Sequence, residues 1–491
     1  MPRTPGVHRP WWILLGSCAS LFLLMLDSTA LTLALPQIQR DLGASAEELQ
    51  WVINAYLLAM CVLVVTFSRL GDQFGRRTVF LAGNALFTVG AVVCAVAPSA
   101  AVLIAGRVLQ GAGAAAMLGL SLAIVSNAFS DADRPRALGI WTSVSAVALA
   151  VGPLVGGVLI DRLSWRAIFW MAVPIALAGM AVTRWQAPNR RDPEAGRRLD
   201  PLGLLAITFG LGALVLALIQ GRAWGWGSPL TIGMLAAGLA SLAAVWPIEH
   251  RVAHPIIAFD LFRSRSYLGA TVAAFAMVGA YWAVMYYQPQ YLQNVLGYSA
   301  VEAGLLILPI TVPMVFLSTV AGRAAVRFGV RPTMTTGMVL GTAGMVLLTR
   351  VGGADDYGTT LFPAFLLFGI ALALVYTPMS TAAMEALPRA KAGVAAGVLA
   401  MNRLLAGSLL LALTGAVFTR AQAADATAGP DTAFTDALAR STWVLVAVMV
   451  LGTVGTWLLL KGTQTDAIRD HVATEPPAPQ DLHHFATRHH L

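Results

Sequence analysis

A chain of 491 residues that is 57% hydrophobic and only 11% charged, with mean hydropathy +0.72, is not a soluble domain, which carries about 25% charged residues. Its net charge of +8 comes from arginines placed between apolar runs, so membrane topology explains it and no nucleic-acid partner is implied. Cys18, Cys61 and Cys94 all fall inside apolar runs, leaving neither a disulfide framework nor a metal-ligand spacing.

A membrane-spanning helix needs about 20 mostly apolar residues. In chain order, such runs occupy 12–35, 49–68, 79–98, 101–125, 137–160, 166–185, 201–220, 230–248, 267–290, 302–321, 333–350, 361–380, 393–417 and 441–460. The fold class is therefore an all-α polytopic membrane protein. The first run follows Arg3 and Arg9 as a signal peptide would, but it is too long, contains Asp27 and lacks a small-residue cleavage site. It reads as an uncleaved span. With the N-terminus in the cytoplasm, most of the 32 basic residues fall on the inner side. The inner loop "APNRRDPEAGRRLD" is basic and the outer "AQAADATAGPDTAFTDA" acidic, so both termini are expected in the cytoplasm. Only Lys391 and Lys461 are lysines, a bias towards arginine that suggests a GC-rich bacterial genome.

Charges inside spans cost roughly 2.5–3.5 kcal/mol each on insertion scales and mark functional positions by default. Asp27 lies about 14 residues into the first span, or roughly 21 Å into a core about 30 Å thick. Arg107 lies about 7 residues, or roughly 10 Å, below the opposite surface in the fourth span. The two are at similar depth. Arg403, in the thirteenth span, is also deep. Near the end of the ninth span, "YWAVMYYQPQYLQN" (281–294) mixes aromatics with amides. Tyr281, Tyr287 and Gln288 are candidates to line a site for flat hydrophobic ligands, whereas Tyr291 is expected in the interfacial aromatic belt. Glu302 is expected at a solvated rim. The tail "DLHHFATRHHL" reads as a flexible charged end rather than a metal site.

Two inner loops repeat each other. "SRLGDQFGRR" (68–77) and "GRAAVRFGVR" (322–331) share a small residue, a Phe-Gly pair and a closing Arg at equal spacing, with Val326 where the first has Asp72. Internal duplication in a transporter-like chain places the substrate site between the halves. In the fifth span Ala148, Gly152 and Gly156 recur every four residues, the spacing that lets helices approach closely. Pro153 and Gly157 interrupt the same stretch.

These stretches resemble the major facilitator superfamily, and within it the fourteen-helix drug:proton antiporters. "LDSTALTLALP" (26–36) is similar to that branch's first-helix signature, with Thr32 in place of the usual Asn. "RVLQGAGAA" (107–115) and "AVGPLVGG" (150–157) match its fourth- and fifth-helix motifs, and "LDPLGLL" with "WGWGSP" is similar to its two extra helices. Ser68, Gln73, Ala167 and Ala172 depart from the pattern. The resemblance implies two six-helix bundles with two inserted helices. The expected division is a cytoplasmic N-terminus (1–11), a first bundle (12–186), a basic linker with two inserted helices (187–266), a second bundle (267–460) and a cytoplasmic tail (461–491). It also implies that Asp27 and Arg107 meet across a central cavity and couple protons. Asp72, Gly75, Arg76 and Arg77 would latch the inner gate, with Asp72 at a helix N-terminus and Gly75 permitting a tight turn. Gly152, Pro153, Gly156 and Gly157 would form a hinge or seal between the halves.

The expected function is proton-coupled export of hydrophobic drugs or antibiotics across the bacterial inner membrane by alternating access. The alternative is an exporter dedicated to one self-made natural product or lipid. Expected partners are protons, small hydrophobic molecules and the bilayer, with a monomer as the working unit. No cofactor is expected: the sequence has no GxxxxGK[ST] loop, so the proton gradient is the energy source. An enzyme is not expected, since no span carries a catalytic His/Asp/Glu cluster. A sensor or channel has no sequence support either. With one deep acid against two deep bases, neutral, weakly acidic or monocationic aromatic compounds fit better than dications.

Overall fold

The computed structural model describes residues 10–130, 133–189, 201–249, 263–352, 357–385, 392–424 and 429–460. The N-terminal residues 1–9, most of the basic loop and the His-rich tail lie outside the described residues. Within them run α1 (Pro10–Leu42), α2 (Ala46–Phe74), α3 (Arg76–Ala95), α4 (Ala100–Ala128), α5 (Arg134–Arg162), α6 (Arg166–Gln186), α7 (Pro201–Trp224) and α8 (Pro229–Glu249). The second part holds α9 (Arg265–Asn294), α10 (Ala300–Phe328), α11 (Val330–Leu348), α12 (Phe362–Glu385), α13 (Ala392–Ala424) and α14 (Pro430–Leu459). Twelve of these are long and apolar enough to cross a membrane. The apolar part of α7 is the shorter Leu202–Leu218, and α11 has 19 residues.

The local signals that start and stop these helices are repeated in the two halves. Ser45 caps α2, with Glu48 reaching back to the Ser45 amide, and Ser299 and Glu302 form the same reciprocal capping box on α10. Glu302 is exposed, as expected. A single glycine joins α2 to α3 and another joins α10 to α11: Gly75 at φ 105° and Gly329 at φ 96°, a region that side chains with a Cβ rarely adopt. The duplication seen in the loop sequences therefore extends to the backbone.

Helices α1–α6 pack among themselves, as do α9–α14, giving two six-helix bundles. The α7–α8 hairpin lies against α2 and α13 through α7. The bundles meet along three seams: α5 with α10, α2 with α13, and α1 with α9. Hydrogen bonds across the seams gather at the end carrying the α1–α2 and α9–α10 turns. There, Gln293 donates to the Leu33 carbonyl (3.0 Å) and Gln50 to the Leu411 carbonyl (2.6 Å). Asp161, at the end of α5, accepts from the Ala300 and Val301 amides (3.2 and 2.9 Å). This carboxylate caps the other half's α10, where the helix dipole favours negative charge.

The small residues of α5 divide between two faces. A Cβ at Gly156 would stand 2.8 Å from the Ala30 Cα, so Gly156 seats α5 on α1 within its own bundle. Gly152 does the same against Thr29. A Cβ at Gly157 would stand 2.6 Å from the Ala300 carbonyl oxygen, and one at Gly304 would stand 2.5 Å from that of Pro153. Pro153 and Gly157 thus hold the seam between the halves, while the four-residue repeat serves packing within one half. Overpacking here is expected to cost about 1–3 kcal/mol. Gly157→Val should lower the thermal midpoint of the purified protein, whereas Gly139→Ala, on the same helix but facing open space, should leave it unchanged.

Candidate functional site

Asp27 and Arg107 meet as their depths predict. Arg107 Nη1 lies 2.6 Å from Asp27 Oδ2, and both side chains are 1% exposed. The guanidinium has further neighbours besides Asp27. Its Nε donates to the Val52 carbonyl of α2 (3.1 Å), its Nη1 also donates to Gln110 Oε1 (2.8 Å), and its carbon sits 4.2 Å from the Tyr56 ring centroid. Gln110 is one turn beyond Arg107 on α4, so the helix itself supplies that acceptor. A buried ion pair survives only when further hydrogen bonds satisfy its remaining polar atoms. One atom is left over: Asp27 Oδ1 is buried without a partner.

The loop cluster is arranged differently from expectation in one respect. Asp72, in the last turn of α2, pairs with Arg76 at 2.9 Å, the residue that opens α3. The first turn of α3 is capped not by Asp72 but by Asn189, whose Oδ1 accepts from the Thr78 amide (3.3 Å). Arg77 donates to the Ala187 carbonyl (3.0 Å), and Asn189 bonds the Thr78 hydroxyl (2.9 Å). In this conformation the cluster ties the α2–α3 turn to the chain leaving α6.

Arg403 does not join the Asp27 pair. Its partners lie on α12: Nη2 donates to Ser380 Oγ at 2.6 Å, and the guanidinium carbon is 4.5 Å from the Tyr376 ring centroid. Tyr281 is buried beside Trp282, their rings edge to face at 5.8 Å, and its hydroxyl has no partner. Tyr287 is packed in an aromatic column, 4.9 Å from Phe418. Gln288 is 2% exposed, with Oε1 unpartnered. Tyr291 is corrected: it is fully buried and its hydroxyl donates to the Gly352 carbonyl at 2.6 Å, so it closes a turn inside the second bundle rather than sitting in the lipid interface.

Sequence reasoning passed over Tyr56, Gln110, Tyr376 and Ser380. Gln110 follows Arg107 by one turn, and Ser380 follows Tyr376 likewise, a spacing that marks shared helix faces. It also passed over Asn54 and Ser408. Asn54 follows Gln50 by one turn on the α2 face turned to α13, and is 0% exposed with neither amide atom partnered. Ser408, on α13, is likewise 0% exposed and unpartnered.

A family model described as Major Facilitator Superfamily matches residues 17–411. The multidrug resistance protein Stp of Mycobacterium tuberculosis is 35% identical over 406 residues, covering 82% of this chain and 75% of that protein. The tetracenomycin C resistance and export protein of Streptomyces glaucescens is 34% identical, covering 83% of this chain and 76% of that one. Among solved structures, a D-xylose-proton symporter superposes with TM-score 0.66 at 17% identity, over 92% of this chain and 98% of the other.

Removing one member of a buried ion pair typically costs about 3–5 kcal/mol, while replacing both with apolar groups is often near neutral. Arg107→Met is therefore expected to destabilise the purified protein more than the double variant Asp27→Leu/Arg107→Met, as read by a thermal double-mutant cycle.

Proposed function

The chain belongs to the Major Facilitator Superfamily, and from that premise we propose that it exports hydrophobic drugs or antibiotics in exchange for protons. Family membership makes it a multi-pass membrane transporter of small molecules rather than an enzyme. The proposal goes further: export, antiport with protons, and residence in a bacterial cytoplasmic membrane with both termini inside. The names of its relatives, a multidrug resistance protein and an antibiotic resistance and export protein, support the direction of transport and the class of cargo.

The observation that carries the coupling is the unpartnered Asp27 Oδ1 in a buried ion pair with Arg107. Oδ2 is occupied by Arg107, and Oδ1 is the atom free to receive a proton. A proton arriving from outside would load Asp27 when the cavity opens outward. It would leave to the cytoplasm when the cavity opens inward, as substrate binds. With the termini cytoplasmic, the seam bonds at Asp161, Gln50 and Gln293 lie at the outer end.

A ligand shifts such an equilibrium only by its differential interaction with the two states. In this reading the Asp72–Arg76–Arg77 cluster biases the inner gate without touching cargo. The protein works as a monomer, and the gradient replaces any cofactor. The second reading, a dedicated exporter of one self-made compound, rests on the relative named for tetracenomycin C export. Growth of an efflux-deficient host against a broad compound panel separates the two: many unrelated scaffolds support multidrug export, one scaffold the dedicated pump.

Asp27→Asn is expected to leave the protein folded and inserted while abolishing substrate-induced proton movement in reconstituted vesicles; unchanged proton movement removes Asp27 from the mechanism. Asp72→Asn should lower transport rate more than substrate affinity, and a large loss of affinity with normal turnover contradicts the latch. Neutral, weakly acidic and monocationic aromatic compounds should be exported and dications poorly; proton-driven export of a dication with none of neutral compounds overturns the charge argument.

A further inference from the structure

Two guanidiniums lie deep in the bundles, and the structure treats them differently. Arg107 is neutralised by Asp27 at 2.6 Å. Arg403 has no carboxylate within ion-pair distance among the described residues. Its contacts are the Ser380 hydroxyl, the Tyr376 ring face and a buried Nε with no acceptor. The first two orient the planar group without cancelling its charge, since a hydroxyl and an aromatic face are both neutral. Arg403 is half-buried. An uncompensated cation inside a span is costly unless it faces a cavity or meets an anion.

We propose that Arg403 is a binding site for an acidic group, a carboxylate or phenolate, carried by an aromatic cargo molecule. A guanidinium has five N–H donors in a rigid fork, and Ser380 takes one of them. The unpartnered Nε and the remaining fork suit a two-oxygen acceptor. The aromatic part of the cargo has neighbours as well. Gly407, one turn beyond Arg403 on α13, lies directly against the Trp282 indole: a Cβ there would stand 3.0 Å from Nε1. Trp282 in turn packs edge to face on Tyr281, whose hydroxyl is buried and unpartnered. Anchor and spare hydroxyl therefore come from α13 and α9, with α12 holding the anchor in place and Trp282 packed between them.

This inference rests on the export reading, but its test does not. Binding of 2-naphthoate and of its neutral isostere 2-naphthamide is measured calorimetrically on the full chain in phosphatidylcholine nanodiscs, without a gradient. The naphthoate is expected to bind at least tenfold more tightly than the amide. Arg403→Gln should remove that preference while leaving amide binding within twofold. Arg403→Lys, which keeps the charge and loses the fork, should give an intermediate loss, as should Tyr376→Leu, which frees the guanidinium plane. Thermal midpoints identify any variant that fails to fold, and the remaining two then decide. Equal binding of acid and amide by the unaltered protein overturns the proposal, as does an equal loss of both ligands in the folded Arg403 variants. Repeating the titration with phosphatidylglycerol in the disc separates cargo from lipid: abolition of naphthoate binding assigns the guanidinium to lipid headgroups and also overturns it. Loss of export with naphthoate preference intact counts against the export reading alone.

Discussion

A carboxylate and a guanidinium 2.6 Å apart, each 1% exposed, set the terms for the first bundle. Buried polar atoms of such a pair need partners nearby, and those of the guanidinium come from α2 and α4: the Val52 carbonyl, Gln110 and the Tyr56 ring. The close association of α1, α2 and α4 follows from meeting that demand as much as from apolar packing. Apolar residues of similar volume fill such a space at no net loss of stability, and often with a gain. The pair is thus not what a chain selected only for a stable bundle needs.

The two bundles share a backbone plan and differ in chemistry. Gly43 and Gly297, Ser45 and Ser299, and Gly75 and Gly329 occupy matching places with matching conformations. In that register the position of Asp27 in the first half is filled by Tyr281 in the second. The acid is replaced by a phenol, and the second half's guanidinium finds a hydroxyl and a ring instead of a carboxylate. The shared scaffold thus carries a charge-neutral pair in one half, while in the other the deep guanidinium of Arg403 has no carboxylate partner among the described residues.

The helices and the depth of Asp27 against Arg107 are legible in the sequence, because hydropathy and a constant rise per residue suffice to place them. The turn at Gly75 is equally legible, since its conformation is local. What the sequence hides is which side chains meet across seams. Asp161 looks like an ordinary rim acid, yet it caps a helix of the opposite half. Tyr291 looks like a belt residue because its neighbours are aromatic, but its hydroxyl finds a carbonyl after Gly352 is brought alongside. The four-residue spacing in α5 announced close packing without saying that adjacent glycines face different helices. Tyr376 and Ser380 stand on one face of α12, but nothing local says that Arg403 approaches that face.

The α7–α8 hairpin stands outside both bundles, yet α7 reaches in at one place, against α2 and α13, with Leu204, Ile207 and Leu211 joining the main hydrophobic core. Those two helices form one of the seams along which the bundles separate. That flank therefore carries an added layer of helix. The inserted helices make the protein's perimeter unequal, with α7 covering the α2–α13 flank.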